Sequence, residues 1–217
     1  MRARGVPRRD RAERPDALVL SVRRGGTLVT DVDVEIVSFE AGDEDRIGEV
    51  CSLLVRSFRV LSPSWVPTLE RAREVVLDAL EPGNINRVLL EGDRVAGWVG
   101  ARHDYGCVWE LHPMVVDEGM RGRGHGRALV EDVVRLAEDR GALTLVLGTS
   151  DEVGLTSLAA RDLFEEPLAA LAEIEAEREH PLGFWLAVGF KVVGVLPDAE
   201  GIGKPTILLA RPIGRRR

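Results

Sequence analysis

A chain of 217 residues, 45% hydrophobic and 30% charged, has the size and balance of one large soluble α/β domain. No apolar run reaches membrane-spanning length and residues 17–22 are too short an apolar core for a secretory signal, so a cytoplasmic protein with no membrane partner is expected. The net charge of −7 is uneven, because residues 1–30 hold eight Arg against three acids and Arg215, Arg216 and Arg217 close the chain, leaving −15 on residues 31–214. A body this acidic argues against a nucleic-acid partner and suits a cationic small molecule, although solubility alone also accounts for it.

Residues 1–31 show no sustained periodicity and are expected as a basic, disordered arm, with one domain over 32–213 and a basic tail over 214–217. Val32, Val34, Ile36 and Val37 suggest a first strand. Asp43 can cap a helix to Phe58, with Ile47, Val50, Leu54 and Phe58 at helical spacing. A second helix is expected over 68–80, stopped at Pro82 and Gly83. Two strands, 87–91 and 94–102, joined through Gly92 and Asp93, read as a hairpin. Residues 107–116 read as a strand broken at Pro113, since proline is disfavoured inside a ladder unless a bulge or splay interrupts it. The clearest helix spans 121–140 and carries a wide apolar face. A buried strand at 143–147, helical material at 167–177 and 181–187, and strands at 192–196 and 206–210 complete one α/β domain without repeats.

The most specific feature is the run from Met114 to Ala128, a strand entering a turn that holds Gly119, Gly122, Gly124 and Gly126 before a helix. Glycines let a ligand approach the backbone, and free amides at a helix start suit a diphosphate, with Arg121, Arg123 or Arg127 adding charge. The dinucleotide pattern G-x-G-x-x-G fails because position 127 is Arg, and the pair Gly203–Lys204 is followed by Pro205, which excludes a P-loop. Two cysteines, Cys51 and Cys107, make neither a disulfide framework nor a metal cluster, and His103, His112, His125 and His180 show no ligand-like spacing, so no metal is expected.

Arg121–Gly122–Arg123–Gly124–His125–Gly126 resembles the R/Q-x-x-G-x-G/A signature of the GNAT superfamily of acetyl-CoA-dependent N-acetyltransferases. The strings Trp65–Val66–Pro67, Gly97–Trp98–Val99–Gly100, Trp109–Glu110–Leu111–His112–Pro113, Leu147–Gly148–Thr149, His180–Pro181 and Lys204–Pro205 follow in an order similar to the dimeric aminoglycoside 6′-N-acetyltransferases. The resemblance implies a mixed, largely antiparallel central sheet, flanked by helices and splayed at the acetyl-CoA site. It also implies that the backbone of Val115 and Val116 binds the pantetheine arm and that residues 121–127 hold the pyrophosphate. It implies a homodimer as well. The resemblance further implies that Trp185 stands against the coenzyme, where the family places a tyrosine that protonates the leaving thiolate. Two more departures are Ser150, where the family has the first of two aspartates, and Thr206, where an acid is usual.

Acetyl transfer needs a neutral amine, a thioester held beside it and stabilisation of the oxyanion. Glu110 and His112, two residues apart on one face of an extended segment, are the expected catalytic groups, His112 either relaying a proton or only satisfying a hydrogen bond; an Arg across the sheet could instead pair with Glu110. Asp151 and Glu152 are candidate carboxylates for a cationic amine substrate, and Trp65 and Trp98 candidate surfaces for its sugar rings. The functional expectation is acetylation of an aminoglycoside 6′-amine. The alternatives are the same chemistry on a polyamine, metabolite or protein amine, or a non-catalytic CoA-binding or drug-sequestering protein.

Overall fold

The computed structural model describes residues 18–20 and 34–214. Its strands are β1 (Leu18–Leu20), β2 (Val34–Ser38), β3 (Ile85–Glu91), β4 (Arg94–Tyr105), β5 (Val108–Val116), β6 (Thr144–Ser150), β7 (Lys191–Leu196) and β8 (Thr206–Pro212). Its helices are α1 (Glu44–Phe58), α2 (Leu69–Ala79), α3 (His125–Glu138), α4 (Pro167–Ala172) and α5 (Leu182–Ala187). The strands form one mixed sheet in the order β1-β2-β3-β4-β5-β6-β8-β7. Only β5 and β6 run parallel, and α3 is the crossover that such a pair needs. Among the described residues no helix is long and apolar enough to cross a membrane.

Strand alternation divides the core in two. Val37, Val88, Leu90, Val95 and Trp98 turn to α1 and α2, while Ile36, Leu89, Val99 and Leu111 turn to α3 and α5. Helix starts follow the expected chemistry, with the Asp43 carboxylate accepting from the Arg46 amide and the Thr68 hydroxyl from the Arg71 amide. Between sheet and α3 lies a buried ion pair: Arg87 Nε donates to Asp132 Oδ2 at 2.6 Å, and the two side chains are 3% and 1% exposed. Arg87 also donates to the Ser38 hydroxyl and the Ile36 carbonyl, which ties α3 to β2 and β3.

Strands β3, β4, β6 and β8 run two or three residues longer than the sequence reading, and three further differences have a local cause. Leu18–Leu20, within the expected arm, pairs antiparallel with Val34–Ile36 as an edge strand, while the rest of the arm, Val32 and the end of the tail lie outside the described residues. The third helix starts at His125 rather than 121, because Gly122 and Gly124 take φ of 72° and 85° and residues 118–120 make a separate 3-10 turn. Helix α4 stops at Ala172, because the following residues are drawn into pairing with 155–157 through the Ser157 amide on the Glu175 carbonyl and the Glu177 amide on the Leu155 carbonyl.

Asp132→Ala removes the carboxylate that the buried Arg87 Nε bonds. It is expected to cost about 3–5 kcal/mol of stability in denaturant unfolding, and a loss under 1 kcal/mol would contradict this account.

Candidate active site

The site begins where β5 leaves β6. Val108, Trp109 and Glu110 pair with Thr144, Leu145 and Val146; beyond them β6 keeps pairing with β8 as far as Ser150↔Thr206, whereas β5 continues only against β4. On the β4 side Val99 faces Met114 and Ala101 faces Leu111, so His112 and Pro113 together oppose Gly100. This is a two-for-one bulge. A Cβ at Gly100 would lie 2.7 Å from the His112 carbonyl oxygen, so the bulge requires glycine there.

The bulge reverses the phase of the strand. Trp109 and Leu111 pack on the α3 side before it, Met114 and Val116 after it, so Glu110, His112 and Val115 face α1 and α2. The Asp117 amide donates to the Ala96 carbonyl at 2.8 Å, which makes Trp98 and Val115 the next hydrogen-bonded pair. The backbone groups of Met114 and Val116 therefore point the other way, into the opening left by β6. This corrects the expectation for Val115, whose backbone faces Trp98 and whose side chain lies in the α1/α2 core. The backbone of Met114, which sequence reasoning missed, faces the opening instead.

The chain then turns at Asp117, whose carboxylate accepts from the Gly119 amide at 3.1 Å and from Arg56 at 2.7 Å, fixing the turn to α1. Gly124 precedes α3 and no side chain caps the helix, so its first-turn amides are available to an anion. A Cβ at Gly122 or Gly124 would meet open space, whereas Gly126 sits against Phe184 and Met114 at 3.1–3.2 Å. Arg121 Nε donates to the Val116 carbonyl at 3.1 Å, Arg123 Nη1 lies 3.5 Å from the Met120 sulfur, and Arg127 Nη2 donates to the Ala187 carbonyl at 2.7 Å, fastening the end of α5 to α3. The buried His125 ring turns inward, and its pKa is lowered by burial and by Arg123. Trp185 is buried edge-on between Phe184 and Phe190.

His112 borders a cavity of about 370 Å³ between α2 and the sheet, whose lining includes Trp65, Arg71, Glu74, Asp78 and Arg102. The Trp65 ring meets His112 edge-to-face at 5.4 Å between centroids. Burial lowers the His112 pKa, and Arg102 lowers it further against the opposing pull of Glu110 and Asp78, so the ring is neutral at pH 7. Glu110 is ion-paired: Arg102, its cross-strand partner, donates to Oε2 through Nε at 2.8 Å and Nη2 at 2.7 Å. That pairing was the alternative open at the sequence level, and Arg102 was not singled out there. Its signal was positional, an Arg facing a Glu in a hairpin register that a sequence leaves undetermined.

Two expected substrate contacts are corrected. Trp98 is 0% exposed, donates from Nε1 to Asn86 Oδ1 at 3.1 Å and meets Phe39 edge-on, so it packs the core and offers no stacking face. Asp151, 1% exposed, accepts from the Leu155 and Thr156 amides and the Thr156 hydroxyl at 2.7–2.8 Å, so it builds the loop after β6. Glu152 differs. It is 5% exposed, its Oε2 accepts from the Ser64 amide and hydroxyl, and its buried Oε1 has no hydrogen-bond partner among the described residues.

A mixed sheet parted at its centre, with an uncapped helix start at the mouth, is the architecture of an acetyltransferase. A family model described as the acetyltransferase (GNAT) family matches residues 47–170, and the chain belongs to that family. A comparison with curated protein sequences finds no match. Among solved structures the chain is similar to an aminoglycoside 6′-N-acetyltransferase complexed with coenzyme A, at 33% identity and a TM-score of 0.76, covering 84% of this chain and 98% of that one. It is also similar to the aminoglycoside 6′-N-acetyltransferase from Enterococcus faecium, at 33% identity and 0.73 with the same coverage. A ribosomal-protein-S18-alanine N-acetyltransferase from Escherichia coli, 17% identical, with a TM-score of 0.56 and coverage of 85% and 96%, shares the fold.

Two measurements check these assignments. The His112 ring should titrate below the ordinary imidazole value of about 6.5 in NMR, and a midpoint above it would contradict its burial. Asp151→Ala should lower stability by about 2–3 kcal/mol through its three lost hydrogen bonds; a normal melting temperature with only a raised KM would make Asp151 a substrate ligand instead.

Proposed function

We propose that the protein transfers an acetyl group from acetyl-CoA to a cationic amine, most closely the 6′-amine of an aminoglycoside, by direct attack in a ternary complex. One observation carries the reading. Where β5 leaves β6, the strand turns His112 into a cavity that Glu74 and Asp78 also line, sets Glu110 against the lining residue Arg102, and turns the Met114 and Val116 backbone into the opening, so acceptor and thioester would meet along seven residues of one strand. The likeness to aminoglycoside 6′-N-acetyltransferases supports the substrate class, and the one complexed with coenzyme A supports the coenzyme.

The residues present fit acetyl-CoA, because the α3 start has no side-chain cap and open space lies over Gly122 and Gly124. When bound, acetyl-CoA supplies the activated acetyl thioester. The first-turn amides of α3 would hold its pyrophosphate, with Arg121 and Arg123 nearby. The Met114 and Val116 amides are turned to where pantetheine and the developing oxyanion would lie. On the amine side Glu110 orders the ammonium group, and neutral His112 can accept its proton directly or through water. Trp185 has no acidic proton to give, so the thiolate leaves as such or takes its proton from water.

Glu152 supports a cationic acceptor. A buried carboxylate oxygen without a partner is costly, and an ammonium group would satisfy it. A second reading, acetylation of a smaller or less charged amine, is favoured by Ser150 and Thr206, which face each other across β6 and β8 where the resembling enzymes have acids.

The first test is thiol release from acetyl-CoA with kanamycin, against paromomycin, which carries a hydroxyl in place of the 6′-amine. Release with kanamycin alone is expected; equal release with both would exclude 6′ selectivity. Glu152→Gln should raise the kanamycin KM about tenfold, the loss of one charge-assisted contact, without lowering stability. An unchanged KM would remove Glu152 from the acceptor site.

A further inference from the structure

The Arg102 guanidinium occupies the place that an acceptor ammonium needs. It bonds Glu110 Oε2 through two nitrogens, and its Nη1 lies 3.7 Å from Asp78 Oδ2 on α2, so one cation bridges two carboxylates across the cavity mouth. Glu74, one helical turn before Asp78, also lines the cavity and is ion-paired with Arg71 at 2.9 Å. The Arg102, Glu110 and Asp78 side chains are 47%, 27% and 67% exposed. A pair this open to water is weakly held and can be displaced by a competing cation. Arginine keeps its charge at any working pH, so the side chain cannot vacate the place by losing a proton.

We propose that Arg102 is a tethered internal cation that competes with the acceptor amine for Glu110 and so sets the charge selectivity of the site. This rests on the reading of the cavity as the acceptor site. A monoamine replaces one cation by another and gains little. A multiply charged amine displaces Arg102 from Glu110 and can place a further ammonium near Asp78 or Glu74. The apparent affinity of every acceptor is reduced by the fraction of time that Arg102 holds Glu110, and an acceptor with a single charge has no further ammonium contact to offset that penalty.

The test is isothermal calorimetry of kanamycin and of butylamine binding to the whole protein saturated with coenzyme A. It compares the wild type, Arg102→Gln and Arg102→Lys, with coenzyme A affinity as the control for folding. Arg102→Gln should tighten kanamycin binding about two- to fivefold, the fold-change of one half-exposed ion pair. It should also bring butylamine binding up by at least as much, with coenzyme A affinity unchanged. Arg102→Lys, which keeps the charge, should stay near wild type. A merely structural role cannot produce tighter binding. Equal or weaker kanamycin binding by Arg102→Gln, or the same gain in Arg102→Lys, overturns the proposal while leaving the acceptor site in place. Kanamycin binding to none of the three proteins overturns the acceptor-site reading and the proposal with it.

Discussion

The parting of β5 from β6 after Glu110 is the constraint on which the site depends. A central strand that loses a neighbour exposes backbone amides that an intact sheet would pair, and these cannot remain buried without a partner at small cost. The sheet tolerates the gap because β6 keeps its ladder with β8 and β5 keeps its ladder with β4. The bulge of His112 and Pro113 opposite Gly100 sets which residues face the gap. Without that extra residue Met114 and Val116 would exchange faces with Val115, and the amides presented to the opening would change.

The same strand organises the electrostatics. Toward its end it feeds the Asp117 turn and the uncapped start of α3, a region of positive helix-end potential. Toward its middle it borders the cavity that contains Glu74 and Asp78, with Glu110 and Glu152 close by. Under the proposed function an anionic coenzyme and a cationic acceptor would be drawn to opposite ends of one short segment. The buried Arg87–Asp132 pair holds α3 on the sheet, so the helix start keeps its place relative to β5.

The glycine turn before α3 and the break in β5 were legible in the sequence because glycines at a helix start have few other uses, and a proline inside a strand announces a break. The hairpin, the Asp43 cap and the shared face of Glu110 and His112 were legible for similar local reasons. The acceptor side was harder to read, because it depends on pairings between distant residues. A tryptophan in an apolar strand reads alike whether it packs the core, as Trp98 does, or lines a pocket. Asp151 and Glu152 are adjacent acids, yet one is consumed by its own loop and the other reaches Ser64, 88 residues earlier. Arg102 bears on Glu110 only through the register of β4 against β5. The Leu18–Leu20 strand was missed because three residues carry no periodicity of their own and are ordered by β2.

Amide hydrogen exchange at β5, with and without coenzyme A, tests the central claim most directly. The Met114 and Val116 amides should exchange quickly in the free protein and become protected when coenzyme A is added, while Val115, bonded to Trp98, stays protected throughout. Val115 exchanging as fast as its neighbours, or no gain in protection at Met114 and Val116 with bound coenzyme, would contradict the opening between β5 and β6 as the coenzyme site.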